Sequence, residues 1–524
     1  MPRFRTAAVT TLLLVPIVAG GFLLQEPPAR ANARLFEQVM SLVSNQFVDT
    51  LPNSEIFTRA AKGLVRELND PYTELFTPKE SDAFSRGTGG RYGGTGMLLG
   101  EDQGVTYVAK VFPHTPAEEA GVREGDRITA INGVSVQGKP STAIADSLRG
   151  PVGSPVTVTY ARPGVAGPIQ ISFTRREVHI PAVPYTTMLD GSIGYIPLQT
   201  FNENVVEEVT DAVRTLGAKG AKGLVLDLRG NGGGIVDQAL ELSSLFLKDS
   251  QEIVSVRSRG TPDEVSRAGT QHMAVGVPLI VMVDGGTASA SEIVAGALQD
   301  HDRALIVGTT SFGKGLVQSV YNLDGGYALK MTTGKWFTPS GRSIHRDRKL
   351  TEDGRLVEVK PDSLETDSAR LSRPKFKSDA GRIVYGGGGI TPDVIVPDDT
   401  LSTPEQEFLR SVAPKFGAIS NVLESYSRQL KDSVRAPSLD LKPEWKAELM
   451  RRLKAEGVTI DAKYSAVADT FLSQQLAQRV VSKAFGDGAA KQLQLGDDRQ
   501  LSRAVTLLRG ATMQSQLFTE AHTP

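Results

Sequence analysis

In this 524-residue chain the residues best suited to chemistry are hydroxyls and one lysine, set in two short motifs. The first is Asp284-Gly285-Gly286-Thr287-Ala288-Ser289-Ala290-Ser291-Glu292. An apolar run over 277–283 predicts a buried strand before it, and helical spacing follows over 293–298. A strand, a tight turn of small side chains and a helix expose a hydroxyl and aim the next amides at whatever it attacks. Ser289 and Ser291 both fit that description, and a helix N-cap accounts for a serine there equally well. The second motif is Ser311-Phe312-Gly313-Lys314-Gly315-Leu316-Val317-Gln318, after a short apolar run over 304–307. Glycines on both sides of Lys314 let the backbone come close to its neighbours. Lys314 and Gln318 are four apart and share a face of either a strand or a helix. A serine nucleophile needs a base, and a lysine serves if burial brings its pKa towards neutrality. Gln318 could then hold the amine by hydrogen bonding. A lysine on an exposed turn is the alternative.

Together the two motifs resemble those of the carboxyl-terminal processing (tail-specific) peptidases. The resemblance covers residues 35–397. In that family the first serine of the first motif is the nucleophile and a lysine lies 25 positions on, the spacing from Ser289 to Lys314. It therefore implies Ser289 as nucleophile, Lys314 as base, Gln318 as the family's glutamine, and a structural Ser291. It also implies an oxyanion hole from Gly233 (or a neighbouring glycine) and Ala290.

Composition fits a folded, multidomain protein: 40% hydrophobic and 22% charged residues, with a net charge of −1 that suggests no nucleic-acid partner. The absence of cysteine excludes disulfides, thiol catalysis, cysteine-bound metal and lipoprotein attachment. Six scattered histidines form no His-x-x-x-His pair, so neither metal nor cofactor is expected. His301, between Asp300 and Asp302, reads as a solvated helix terminus rather than a triad base. At the N-terminus Arg3 and Arg5 precede an uncharged apolar stretch, 6–24, and then Ala31-Asn32-Ala33. This predicts an export signal over 1–33, cleaved after Ala33 or kept as a membrane anchor, and a periplasmic or cell-envelope location.

The elements that must position the motifs fall into blocks. Helical spacing over 35–47, 54–68 and 78–85 predicts a helical subdomain, 34–88. Short strands and turns over 89–178 follow, with Gly125-Asp126-Arg127-Ile128 running into an Asn132-Gly133 hairpin turn. This order resembles a PDZ domain. By that resemblance Gly94, Thr95, Gly96 and Met97 form the loop that captures a substrate C-terminus, beside a groove between 97–100 and a helix over 141–148. Alternating strands and helices from 192 to 307 predict an α/β core. A glycine-rich turn, Arg229-Gly230-Asn231-Gly232-Gly233-Gly234, lies within it but lacks a Walker or Rossmann spacing. The family fold is crotonase-like, a ββα superhelix, so the fold class is multidomain α+β with a peptidase core over 179–400. Ile390-Thr391-Pro392-Asp393 resembles the family's closing motif. Residues 346–385, charged and poor in aromatics, read as an inserted surface loop. Residues 401–524 read as a helical extension, for docking, homo-oligomerisation or plain packing.

The expected function is an exported serine endopeptidase with a Ser-Lys pair, cutting unfolded or C-terminally exposed proteins whose tails the PDZ domain selects. A non-catalytic PDZ adaptor on the same fold is the alternative. A crotonase-like acyl-CoA enzyme fits the glycine turn but not an export signal.

Overall fold

The computed structural model describes residues 28–520, except 103, 113, 163–164, 191, 271–272, 274–275, 352–355, 359–371 and 399–400. The expected export segment, 6–24, lies outside the described residues, as does the middle of the expected inserted loop. The chain divides into two units. The smaller takes the chain up to Pro78 together with 318–332 and 349–357; the larger takes 79–317, 333–348 and 358–524.

In the smaller unit the expected N-terminal helices are present over Pro28–Gln46 and Asn53–Arg66. Their apolar spacing does not translate into burial: Met40 and Ile56 are buried, while Leu35, Phe36, Leu42, Phe57 and Leu64 are exposed. The strand Glu74–Phe76 pairs antiparallel with the 328–330 segment, Glu74 opposite Lys330. The 328–332 segment also pairs with the strand ending at Asn322, across a turn at Asp324–Gly326 with Gly325 and Gly326 at positive φ.

The larger unit is built on a six-stranded sheet. Its spatial order is Thr187–Leu189, Ile193–Pro197, Gly223–Asp227, Leu279–Val283, Leu305–Gly308 and Val394–Ile395. All but the first pair run parallel. The inner strands are buried throughout because both faces are covered. One face carries the amphipathic helices Val205–Ala218, Val236–Phe246 and Ala290–Asp300. The other is covered by the helix Arg499–Gly510, whose Leu501, Val505 and Leu508 pack on Tyr195, Val225, Ile280 and Met282. This helix completes the core, and the helices between Thr403 and Phe485 form an apolar cluster around Phe408, Leu423, Leu449 and Leu472.

Residues 91–179 form the β-domain expected from the glycine and strand pattern. Its sheet order is Met97–Asp102, Val105–Val111, Arg127–Ile131, Pro155–Ala161 and Ile169–Thr174, around a core including Val108, Ile144, Val158 and Tyr160. Asn132 and Gly133 both take positive φ, as a tight hairpin turn of this type demands. The expected loop 346–385 is corrected at its far end. Lys375–Lys377 and Ile383–Tyr385 form a hairpin, and Arg382 pins it through ion pairs to Asp302 (2.5 Å) and Asp393.

Candidate active site

The strand Leu279–Val283 is buried along its whole length and delivers the chain to Asp284. The Asp284 Oδ1 accepts from the N–H groups of Gly230 (2.8 Å), Gly286 (2.9 Å) and Thr287 (3.0 Å), which closes the turn. The Thr287 hydroxyl donates to Leu228 O at 2.8 Å. Ser289 then sits at φ 57°, ψ −117°, immediately before the helix Ala290–Asp300. A non-glycine residue held there costs about 1–3 kcal/mol, which the surrounding hydrogen bonds must offset. The two candidate serines are separated by their surroundings. Ser291 is fully buried and its hydroxyl donates to Asn231 O at 3.0 Å. Ser289 is half-buried at the strained position.

Lys314 is half-buried, on the segment between the strands Leu305–Gly308 and Leu316–Asn322. Its N–H donates to Glu292 Oε2 (2.9 Å) and its carbonyl accepts from the Trp336 indole (3.1 Å). The flanking glycines permit the close approach their small size suggested. A Cβ on Gly313 would come within 3.0 Å of Ile344 O, and Gly315 O accepts from Trp336 N at 3.1 Å.

What joins the two motifs is Glu292, which the sequence reading did not single out. Its side chain is fully buried. Oε2 accepts from Ser289 N (2.9 Å) as well as Lys314 N, while Oε1 accepts from Ser311 Oγ (2.5 Å) and Gly313 N (2.7 Å). Burial pushes this carboxyl above the usual glutamate range, and the four hydrogen bonds pull the other way. A Ser-x-x-Glu capping box was legible in the sequence, but it announces only the local half of these bonds.

The glycine-rich turn lies against the same place. Gly233, at φ 93°, leaves no room for a Cβ, which would meet Ala288 O at 2.7 Å, Ser289 Cβ at 2.9 Å and Ala290 N at 3.0 Å. Gly233 N donates to Asn231 Oδ1 at 2.9 Å. Asn231 is a second residue that sequence reasoning missed: its carbonyl accepts from both Ala288 N and Ser291 Oγ at 3.0 Å, and its amide donates to Leu198 O at 2.8 Å. The structure thus brings Ser289, Ala290, Gly233 and, through Glu292, Lys314 into one network. Gln318 lies in the smaller unit, where its amide donates to Thr332 Oγ1 at 3.4 Å.

His301 departs from the expected solvated terminus. Its side chain is 8% exposed, with Nδ1 2.7 Å from Asp379 Oδ2 and Nε2 2.7 Å from Glu252 O. It caps the far end of the helix that Ser289 begins, about 16 Å along the axis.

In the β-domain, Gly94–Met97 forms a loop held by its carbonyls. Thr95 O accepts from Ala117 N (2.8 Å) and Gly96 O from Phe112 N (3.0 Å). The Thr95 and Met97 side chains are buried, and Tyr160 OH donates to Met97 Sδ at 3.4 Å. Met97–Asp102 is the outer strand of its sheet, and the helix Ser141–Leu148 lies beside it, joined by a 3.0 Å bond from Ser141 N to Glu101 Oε2. Among the described residues no His, Cys, Asp and Glu side chains cluster as a metal site, and no helix is long and apolar enough to cross a membrane.

Residues 192–362 match the model of peptidase family S41, and residues 107–162 match that of a PDZ domain. The carboxy-terminal processing protease CtpA of Bacillus subtilis is 33% identical over 344 residues, 65% of this chain and 73% of that protein. A carboxy-terminal-processing protease of Bartonella bacilliformis is 38% identical over 314 residues, 59% of this chain and 71% of the relative. Among solved structures, a photosystem II D1 C-terminal processing protease matches at 30% identity with a TM-score of 0.36, covering 62% of this chain and 85% of that one. The chain belongs to peptidase family S41, among the carboxy-terminal processing serine proteases, and carries a PDZ domain.

Proposed function

We propose that the chain is an exported endopeptidase in which Ser289 is the nucleophile and Lys314 its general base. The observation that carries this reading is Glu292, whose one carboxylate binds the backbone N–H of both residues. A buried group with four donors fixes two loops that are far apart in sequence, which is what a two-residue catalytic unit needs. In the reaction, neutral Lys314 takes the Ser289 proton as Oγ attacks the scissile carbonyl carbon. The N–H of Ala290 and an N–H of the Gly233 turn stabilise the oxyanion. The proton passes from Lys314 to the leaving amine as the C–N bond breaks. Water, deprotonated by Lys314, then releases the acyl group and restores the serine hydroxyl.

The PDZ domain selects unstructured tails. Its outer strand Met97–Asp102 accepts the peptide as an added strand, and the Gly94–Met97 loop takes the terminal carboxylate. The alternation of strands and helices from Ile193 to Gly308 favours a crotonase-like core. The basic, apolar N-terminal sequence favours export to the periplasm or cell envelope.

Incubation of the exported form with an unfolded protein, with Ser289→Ala and Ser291→Ala alongside, tests the reading. Ser289→Ala is expected to be inactive and Ser291→Ala to keep a substantial part of the activity. A folded but inactive Ser291→Ala with an active Ser289→Ala contradicts the assignment. No proteolysis by the intact chain would leave the peptide-binding adaptor.

A further inference from the structure

The helix Arg499–Gly510 reaches the glycine-rich turn through a largely buried ion network. Arg229 opens that turn, and its guanidinium bridges two carboxylates. Nη1 and Nη2 donate to Asp498 Oδ1 (3.0 Å) and Oδ2 (2.9 Å), while Nε and Nη2 donate to Asp227 Oδ1 (3.0 Å) and Oδ2 (2.7 Å). Asp227 also accepts from Tyr195 OH at 2.7 Å. Asp498 is itself the N-cap of Arg499–Gly510, accepting from Leu501 N at 3.0 Å, and it accepts from Lys491 Nζ at 2.7 Å. All these groups are mostly shielded: the side chains of Arg229, Asp227 and Asp498 are 19%, 7% and 12% exposed.

The turn needs such an anchor. Four of its six residues are glycines, which lose the most backbone freedom on ordering. Its far end is tied to Phe201, whose N–H donates to Gly233 O (3.0 Å) and whose carbonyl accepts from Ile235 N (2.8 Å). At its near end stands Arg229. Between the two, Asn231 and Gly233 lie against Ala288, Ser289 and Ala290. A planar guanidinium gripping two carboxylates fixes orientation as well as position, which a lysine ammonium does not.

We propose that Arg229 and Asp498 are positioning residues, through which the C-terminal helix sets the backbone of the turn beside Ser289. This rests on the reading of Ser289 as nucleophile. The C-terminal region then serves the chemistry directly as well as the packing of the sheet.

The test uses the full chain with Asp498→Asn, Asp498→Glu and the double variant Arg229→Met/Asp498→Leu. The double variant is made in an Asp227→Asn background, so that no buried carboxylate is left without its cation, and it reports on position if Asp498→Asn fails to fold. kcat and KM are measured on a free-acid peptide with an apolar C-terminus, and binding of that peptide by anisotropy in a Ser289→Ala background. For Asp498→Asn and the double variant, kcat is expected to fall about 100-fold, the effect of a misplacement near 1 Å, with peptide binding changed less than about twofold. Asp498→Glu should regain most of the loss. An Asp498→Asn or double variant with kcat within about threefold of wild type overturns the proposal, as does a parallel loss of peptide binding. Cleavage by Ser289→Ala alone would instead remove the underlying reading.

Discussion

The turn over residues 229–234 and the PDZ loop Gly94–Met97 both carry glycine at positive φ, yet they are anchored to different degrees. The first is held by amide and carbonyl alike: Gly230 N donates to Asp284, while Asn231 O accepts from Ala288 N and Gly233 O from Phe201 N. The second is held by its carbonyls, Thr95 O and Gly96 O. The first is also locked by a buried polar hub, Asn231, whose carbonyl serves Ala288 and Ser291 and whose amide serves Leu198. The second is backed by buried Met97 and Thr95 and borders an open strand edge. A loop anchored by carbonyls suits capture of varied chain ends; a turn stitched to its neighbours suits one fixed reaction geometry.

The sharpest way to break this contrast is at Glu292. Glu292→Gln turns one acceptor oxygen into a donor facing two N–H groups, or facing Gly313 N and the Ser311 hydroxyl. Unsatisfied buried donors cost about 1–3 kcal/mol each, so we expect a loss of more than about 2 kcal/mol with activity reduced at least 100-fold. Denaturant melts and peptide cleavage check both. Wild-type rates in this variant would show that the shared carboxylate does not hold the pair.

A smaller effect, of a different kind, is expected in the PDZ loop. A side chain at Gly96 would take its Cβ to 2.2 Å from Thr115 Cβ, at a φ of 88°. Gly96→Val should raise KM for a free-acid tail peptide by about tenfold, while kcat changes less than about threefold. Amidating the peptide should reproduce the effect in wild type. Equal loss of kcat and KM would mean that the two loops are not separable.

Two substitutions outside the contacts of Glu292 should do little to the rate. Ser291→Ala removes one buried hydrogen bond and His301→Ala removes two. Each should lower stability by about 1–2 kcal/mol and leave cleavage within about threefold of wild type. A thousandfold loss in His301→Ala, in the range of a missing general base, would revive a histidine mechanism.

The smallest effect is in the acid limb of stability. Burial alone would raise the Asp498 carboxyl, but the hydrogen bond and charge of Arg229, then Lys491, hold it well below the usual aspartate range. A depressed folded pKa contributes stability above the unfolded value near 3.8, and this is lost as pH falls below about 4. Glu292, with its carboxyl raised, acts in the opposite sense and favours the fold as pH falls through its folded pKa. Asp498→Asn should therefore flatten the decline in melting temperature below pH 4, compared with wild type.

The two motifs, the parallel strands and the hairpin turn at Asn132-Gly133 were legible because each is a local pattern: small residues after an apolar run, an unbroken apolar run, or a dipeptide with one preferred turn. The hubs were not. Glu292 reads locally as a helix cap, and its bonds to Gly313 and Lys314 span 21 and 22 positions. Asn231 reads as one more turn residue, although its carbonyl serves Ser291, 60 positions away. The same limit explains the C-terminus. The apolar stripe of Arg499–Gly510 says that a helix packs, but only the tertiary structure says that it covers the open face of the central sheet. His301 shows the converse, since flanking acids suggested solvent while its ring is pinned by Asp379 and Glu252.

The central claim is that Lys314 takes the proton of Ser289. Single-turnover cleavage of a free-acid tail peptide by wild type and Lys314→Arg tests it most directly, with peptide binding measured in parallel. Guanidinium stays protonated and cannot accept the proton, so the arginine variant should bind the peptide but cleave at least about 100-fold more slowly. A cleavage rate within about threefold of wild type would contradict the account, whatever Ser289→Ala shows.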